Sequence, residues 1–241
     1  LRLFKKIFIK ENVNQKYLEP LFIYMVISTL LGARLGEVFF YNWDYFQNHL
    51  IEILIPIKER ADGTGYDFIG FRGLASHGAT IGILIGIFIF QRLNPFKPLI
   101  WILDRLTIPV AIGGFFVRTG NFFNSEIVGK YTGSNFGVVF QNRGEIMPRY
   151  PAQMYEAFGY LILFFILRKI YDSHYRDQGG FLLGIFFTGL FSIRFLVEYV
   201  KESQGGFEEI LPAFSTGQWL SIPFIILGLI ILGLSFRKKT T

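Results

Sequence analysis

The chain has 241 residues, 51% of them apolar and 17% charged, with 29 phenylalanines and a mean hydropathy of +0.40; that balance lies outside the range of soluble domains and indicates a polytopic membrane protein. Zero cysteines exclude disulfides, catalysis by the protein's own thiolates and Cys-ligated metal centres, and three histidines (His49, His77, His174) argue against a multi-histidine metal site. The net charge of +6 is carried at the ends of apolar segments rather than along one face, which fits membrane topology and not nucleic acid.

The chain opens on LRLFKKIFIK, a basic stretch without the apolar core and cleavage site of a signal peptide. With Leu1 in place of Met, the natural N-terminus is expected upstream. Six segments have the length and apolarity of spanning helices: Leu18–Tyr41, Ser76–Phe90, Leu99–Val117, Pro151–Leu167, Phe181–Val200 and Trp219–Phe236. Threading the connectors alternately puts thirteen Lys and Arg on one side and seven (Lys58, Arg60, Arg72, Lys130, Arg143, Arg149, Lys201) on the other. The positive-inside rule then places both present ends in the cytoplasm and the two long loops, Asn42–Ala75 and Thr119–Tyr150, outside. The expected fold is an all-α membrane bundle forming a single domain over residues 1–241, since no connector has the composition of a linker. Gly78, Gly82 and Gly86, and again Gly180, Gly184, Thr188 and Ser192, recur every fourth residue. Such stripes let helix backbones approach in lipid and imply packing, not chemistry. The stretch WDYFQNHLIEIL in the first loop reads as a short amphipathic helix on the membrane surface.

Chemistry concentrates in RTGNFFNSEIVG, Arg118 to Gly129. A lone cation at the end of a span is ordinarily an interfacial snorkelling side chain. Here Asn121, Asn124 and Glu126 follow it, with Gly120 and Gly129 as hinges, so several hydrogen-bonding groups can be aimed at one anion. Arg194 and Glu198 lie four apart, on one face of one helix; the bland reading is a self-neutralising pair, yet ionisable groups inside a membrane are functional by default. Arg34 with Glu37, and Asp104 with Arg105, read mainly as structural pairs. His77 heads the second span, where a histidine is most often a structural hydrogen-bonder. No G-x-S-x-G, Walker loop or H-E-x-x-H occurs. What remains is an outward-facing anion site of two arginines and amides with one histidine, open to two readings: an enzyme, or a carrier for an anionic solute or lipid.

HGATIG at His77–Gly82, RTGNFFNSEIVG, YPAQMYE at Tyr150–Glu156 and RFLVEYVKE at Arg194–Glu202 resemble, in this order, the motifs of bacterial prolipoprotein diacylglyceryl transferases, and GARLGEVFFYN at Gly32–Asn42 is similar to that family's early arginine–glycine motif. The resemblance implies a seven-helix inner-membrane enzyme with its site toward the periplasm, so the six spans here would fit a chain lacking the first helix and its tyrosine. It also implies transfer of the diacylglyceryl group of phosphatidylglycerol to the thiol of a prolipoprotein's lipobox cysteine. The substrate brings the thiol, so a cysteine-free chain is no objection, and no cofactor is implied. Arg118 and Arg194 would then meet the phosphate, Asn121 and Asn124 the phosphate or headgroup, Glu126 and Glu198 would orient the arginines, and His77 would serve as base. Departures from the family pattern are Tyr150 for a histidine, Ala79 for a glycine, and Ser125 where glycine is common.

Overall fold

The computed structural model describes residues 1–60, 63–68, 70, 75–202 and 213–237, with the side chains of Phe40, Ser76 and His77 outside that description. The chain forms two compact units, Leu1–Leu99 and Ile100–Thr241.

The first unit begins with α1, Arg2–Lys10, a helix over the stretch that reads in sequence only as basic. Apolar residues at helical spacing turn Phe4, Ile7 and Phe8 inward and leave Arg2, Lys5, Lys6 and Lys10 exposed. The Phe8 ring lies 5.8 Å from that of Phe96, on which Tyr17 also stacks at 4.8 Å. The long helix α2, Leu18–Tyr41, leads into two four-residue turns, α3 (Trp43–Phe46) and α4 (Ile51–Leu54). A short antiparallel hairpin follows, β1 (Ile57–Glu59) on β2 (Tyr66–Phe68), with Lys58 opposite Asp67. The single surface helix expected over WDYFQNHLIEIL does not form. The helix is interrupted at residues 47–50, and Arg34 takes the carbonyls of Glu52 and Ile53 at 2.6 and 2.9 Å, so α4 ends on a side chain of α2 rather than continuing. Nor does Arg34 pair with Glu37 as expected, for Glu37 accepts instead from Asn42 at 2.8 Å. Helix α5, Ser76–Leu93, returns along α2. The two touch backbone to backbone: a Cβ on Gly32 would run into the carbonyl oxygen of Gly78, and one on Gly78 into that of Gly32. This is the packing role expected of the first small-residue stripe, met by glycines on the facing helix.

The second unit contains α6 (Leu99–Phe123), α7 (Ala152–Tyr171), α8 (Phe181–Val197) and α9 (Thr216–Arg237). A second close seam joins α8 to α9, where a Cβ on Gly228 would meet the Thr188 backbone nitrogen at 2.6 Å and one on Gly184 the Gly228 carbonyl at 2.9 Å. Stacked rings of Phe191 and Phe224, 4.4 Å apart, extend it. Asp104, fully buried, accepts from the backbone N–H groups of Gly180 and Leu183 at 2.7 and 2.8 Å. It thereby satisfies orphan donors at the start of α8 and places a negative charge at the positive end of that helix. Arg105 lies over the Trp101 ring at 5.1 Å.

Helices of 25, 25 and 22 residues, around α2, α6 and α9, are long and apolar enough to cross a bilayer, and α5 and α8 add shorter apolar helices. The protein is a helical membrane protein. Its long helices fall where the sequence placed the candidate spans, with ends that differ: α5 runs on to Leu93, α6 to Phe123 and α7 to Tyr171, α8 stops at Val197, and α9 starts at Thr216.

Candidate active site

The extension of α6 changes how the central motif is held. Arg118, Gly120 and Asn121 belong to the last turns of the helix rather than to a hinged loop. The chain turns instead at Ser125 and Ile127, both left-handed with φ of 57° and 54°. Such a conformation is unfavourable for any side chain and most of all for a β-branched one. It gives a physical reason why glycine would suit position 125. The turn is tied on both sides of Glu126: its N–H donates to the Asn121 carbonyl at 2.9 Å, and its carbonyl accepts from Gln153 Nε2 at 2.6 Å.

From this turn a ring of polar contacts can be followed. Arg118 Nε donates to Glu156 Oε2 at 2.6 Å, with the two side chains 12% and 2% exposed. A long 3.5 Å contact joins Arg118 Nη1 to Asn121 Oδ1, and Asn121 Nδ2 donates to Glu126 Oε2 at 2.8 Å. Asn124 Nδ2 reaches the other Glu126 oxygen at 3.4 Å. Gln153 then closes the ring from Glu126 back to α7. Glu156 and Tyr160 are one turn apart on α7, and the Tyr160 hydroxyl interacts with Arg194 of α8 while lying in the field of both Glu156 and Arg118. Arg194 thus meets the Tyr160 hydroxyl on α7, while Arg118 acts on it only through its charge.

The carboxylates do not act as expected. Glu126 orients the two asparagines, and the acidic partner of Arg118 is Glu156. Glu198 pairs with Lys201 at 3.2 Å in a buried contact, not with Arg194. Glu198 keeps its backbone hydrogen bond to the Arg194 carbonyl at 3.0 Å, but its side chain turns to Lys201, three residues on in the turn that follows α8. Gly217 lies against this pair so closely that a Cβ there would strike the Glu198 carboxylate. Glu156 lies in YPAQMYE, where the sequence assigned it no role; a carboxylate on the first turns of a span, one turn before a tyrosine, was the available signal.

Next to the ring, the loop from Gly129 to Tyr150 is stitched to the end of α8. Lys130 N–H donates to the Val200 carbonyl at 2.8 Å, Glu202 N–H to Val128 at 3.1 Å, and Gly129 N–H to Tyr150 at 3.1 Å. Gly129 is required here, because a Cβ would meet the Tyr150 and Val200 carbonyl oxygens. Arg149, 4% exposed, is the hub of this loop. It donates to Glu145 at 2.5 Å and to Gly129 O and Glu202 at 2.9 Å, with its guanidinium 3.8 Å from the Tyr131 ring centre. Burial pushes the Glu145 carboxyl up, but hydrogen bonds from Arg149 and Arg143 outweigh it and hold the group below the usual carboxylate range.

The model of the prolipoprotein diacylglyceryl transferase family matches residues 1–234. The chain belongs to this family. Among curated relatives named phosphatidylglycerol–prolipoprotein diacylglyceryl transferase, that of Tolumonas auensis is 40% identical over 238 residues, covering 99% of this chain and 86% of the relative. That of Bacteroides fragilis is 38% identical over 231 residues, covering 95% and 82%. That of Chloroherpeton thalassium is 38% identical over 239 residues, covering 99% and 84%. As a member of the family the chain carries its central motif on the strained end of α6 and its YPAQMYE motif on the first turns of α7, and the ion pair between Arg118 and Glu156 joins the two. His77 is the second residue of α5 in the first unit; its side chain lies outside the described residues.

Proposed function

We propose that the chain transfers the diacylglyceryl group of phosphatidylglycerol to the cysteine thiol of a prolipoprotein lipobox, in the bacterial inner membrane with its site toward the periplasm. Family membership supports the reaction, and the observation that carries the chemistry is the pairing of Arg118 with buried Glu156 inside the amide ring. All six long helices cross the membrane in this reading, with both present ends cytoplasmic and residues 42–75 and 119–150 periplasmic, as the charge asymmetry requires. No nucleic acid takes part; the partners are the lipid and the prolipoprotein signal peptide.

The thiolate sulfur attacks the glyceryl carbon that bears the phosphate ester, a carbon–sulfur bond forms, the carbon–oxygen bond breaks, and glycerol phosphate leaves with the bond electrons. The diester carries one negative charge and the leaving monoester moves toward two. Donors fixed in advance on the phosphate therefore stabilise the transition state more than the bound lipid. Arg118 and Arg194 fill this role, Asn121 and Asn124 lend amide donors around Glu126, and Glu156 holds the Arg118 fork in its plane. Glu198 acts through Lys201, anchoring the end of α8. His77 takes the thiol proton, since the thiolate is the nucleophile and a free thiol has a pKa of about 8.5.

Arg118→Lys and Arg194→Lys test this, by single-turnover transfer to a lipobox peptide compared with phosphatidylglycerol affinity. Each is expected to lose roughly a hundredfold or more in rate and less in binding, while Arg105→Lys, over Trp101, changes the ratio of the two little. Equal loss of rate and binding would reduce the arginines to lipid capture.

A further inference from the structure

Two acceptors of the ring have no donor among the described residues: Gln153 Oε1 and Glu156 Oε1, on residues that are each 1% exposed. Buried polar atoms are nearly always partnered, so each such exception demands a reason. The orientation of both is determined. Gln153 Nε2 donates to the Glu126 carbonyl at 2.6 Å, and turning the amide over would set oxygen against oxygen. The second oxygen of Glu156 is taken by Arg118. Gln153 and Glu156 stand three residues apart on α7 and so share a face, and both are anchored on the segment from Arg118 to Glu126. Glu156 Oε1 therefore lies beside the guanidinium assigned to the phosphate, and Gln153 Oε1 stands one turn away on the same face of α7.

We infer that Gln153 Oε1 and Glu156 Oε1 accept the two free hydroxyls of the glycerol headgroup, making this pair the determinant of headgroup choice. The inference rests on the assignment of Arg118 to the lipid phosphate. Glycerol is neutral and offers two O–H donors within a few atoms of that phosphate, matching two acceptors. Choline offers no donor, and ethanolamine brings a cation toward Arg118 and Arg194. A buried water is the competing occupant, and it would leave the site indifferent to the headgroup.

The experiment changes the lipid first. Wild-type protein in phosphatidylcholine nanodiscs is titrated with phosphatidylglycerol or with phosphatidylpropanol, the same phosphodiester without the two hydroxyls, and bound lipid is read by native mass spectrometry with no acceptor peptide present. Phosphatidylglycerol is expected to bind at least roughly thirtyfold tighter. Gln153→Met is expected to weaken phosphatidylglycerol about tenfold and phosphatidylpropanol less than about twofold. Equal binding of the two lipids by the wild type overturns the inference, as does a variant that weakens both alike. The wild-type comparison stands whether or not the variant folds. Headgroup discrimination without transfer would sink the proposed reaction and leave this inference intact, and transfer without discrimination would do the reverse.

Discussion

Glu156→Gln probes the aim of Arg118 rather than its charge. The pair is 2.6 Å long between side chains 12% and 2% exposed. The amide keeps the shape and one acceptor but replaces a charge-assisted hydrogen bond, worth about 1.5–3 kcal/mol, by a neutral one worth about 0.5–1.5. Adding the strain of a guanidinium left without its counter-charge gives about 2–3 kcal/mol, short of the roughly 3–5 kcal/mol for removing one partner of a buried pair outright. If that energy is what keeps the fork in place during transfer, the rate falls about thirty- to 150-fold. Phosphatidylglycerol affinity should fall much less than the rate, because losing the acceptor for one headgroup hydroxyl is offset by removing a negative charge next to the phosphate. Glu156→Asp, which keeps the charge on a shorter arm, should also lose rate. The assay is single-turnover transfer beside equilibrium lipid binding, on protein whose melting temperature confirms folding. An unchanged rate for Glu156→Gln, or a loss of affinity in step with rate, would refute the reasoning.

Ser125→Gly should raise thermal stability by about 1 kcal/mol, since φ of 57° no longer meets a Cβ; a lowered melting temperature would mean that the side chain matters more than the turn. Gly78→Ala should destabilise the first unit by about 1–3 kcal/mol, because its new methyl meets the backbone of Gly32 and Gly36, and unchanged melting would show that the seam yields. The Glu145 carboxyl, depressed in the fold by Arg149 and Arg143, contributes stability that is complete above the ordinary carboxylate range and is lost as pH falls through its lower folded value. Hydrogen exchange in residues 129–150 should therefore accelerate on acidification in that window, and Glu145→Gln should flatten the dependence; an equally steep response in the variant would assign it to another group.

The long helices were legible because apolarity over some twenty residues has few other meanings. The site was legible in part. Arg118, Asn121, Asn124 and Glu126 announce themselves by density, yet their pairing does not. Spacing placed Glu198 over Arg194, and its backbone does stay there, but its side chain takes Lys201 from the turn after α8, a choice that spacing alone does not make. Glu156 reaches Arg118 from another helix, a contact no local pattern encodes. Gly120 looked like a hinge because glycines bend chains, but the bend falls on Ser125 and Ile127, where the ring around Glu126 holds a conformation their side chains disfavour. Helix α4 stops at Leu54 for a similar reason, since Arg34 claims the carbonyls of Glu52 and Ile53 from a distance in the chain.

The two glycine seams also restrict where a two-tailed lipid can pass. A pair of helices held by long side chains can ease apart by rotamer changes, but helices in contact at backbone distance have little such slack. Helices α2 and α5, and likewise α8 and α9, therefore move as struts, and neither seam is a door. The cysteine-free chain suits a direct trial: Gly184→Cys with Leu232→Cys, where a Cβ on Gly184 stands 3.0 Å from that of Leu232, can be oxidised across the second seam after a slight spreading. Repeated turnover by the crosslinked protein is the expected result, and arrest after one cycle would show that the strut must open to let product out.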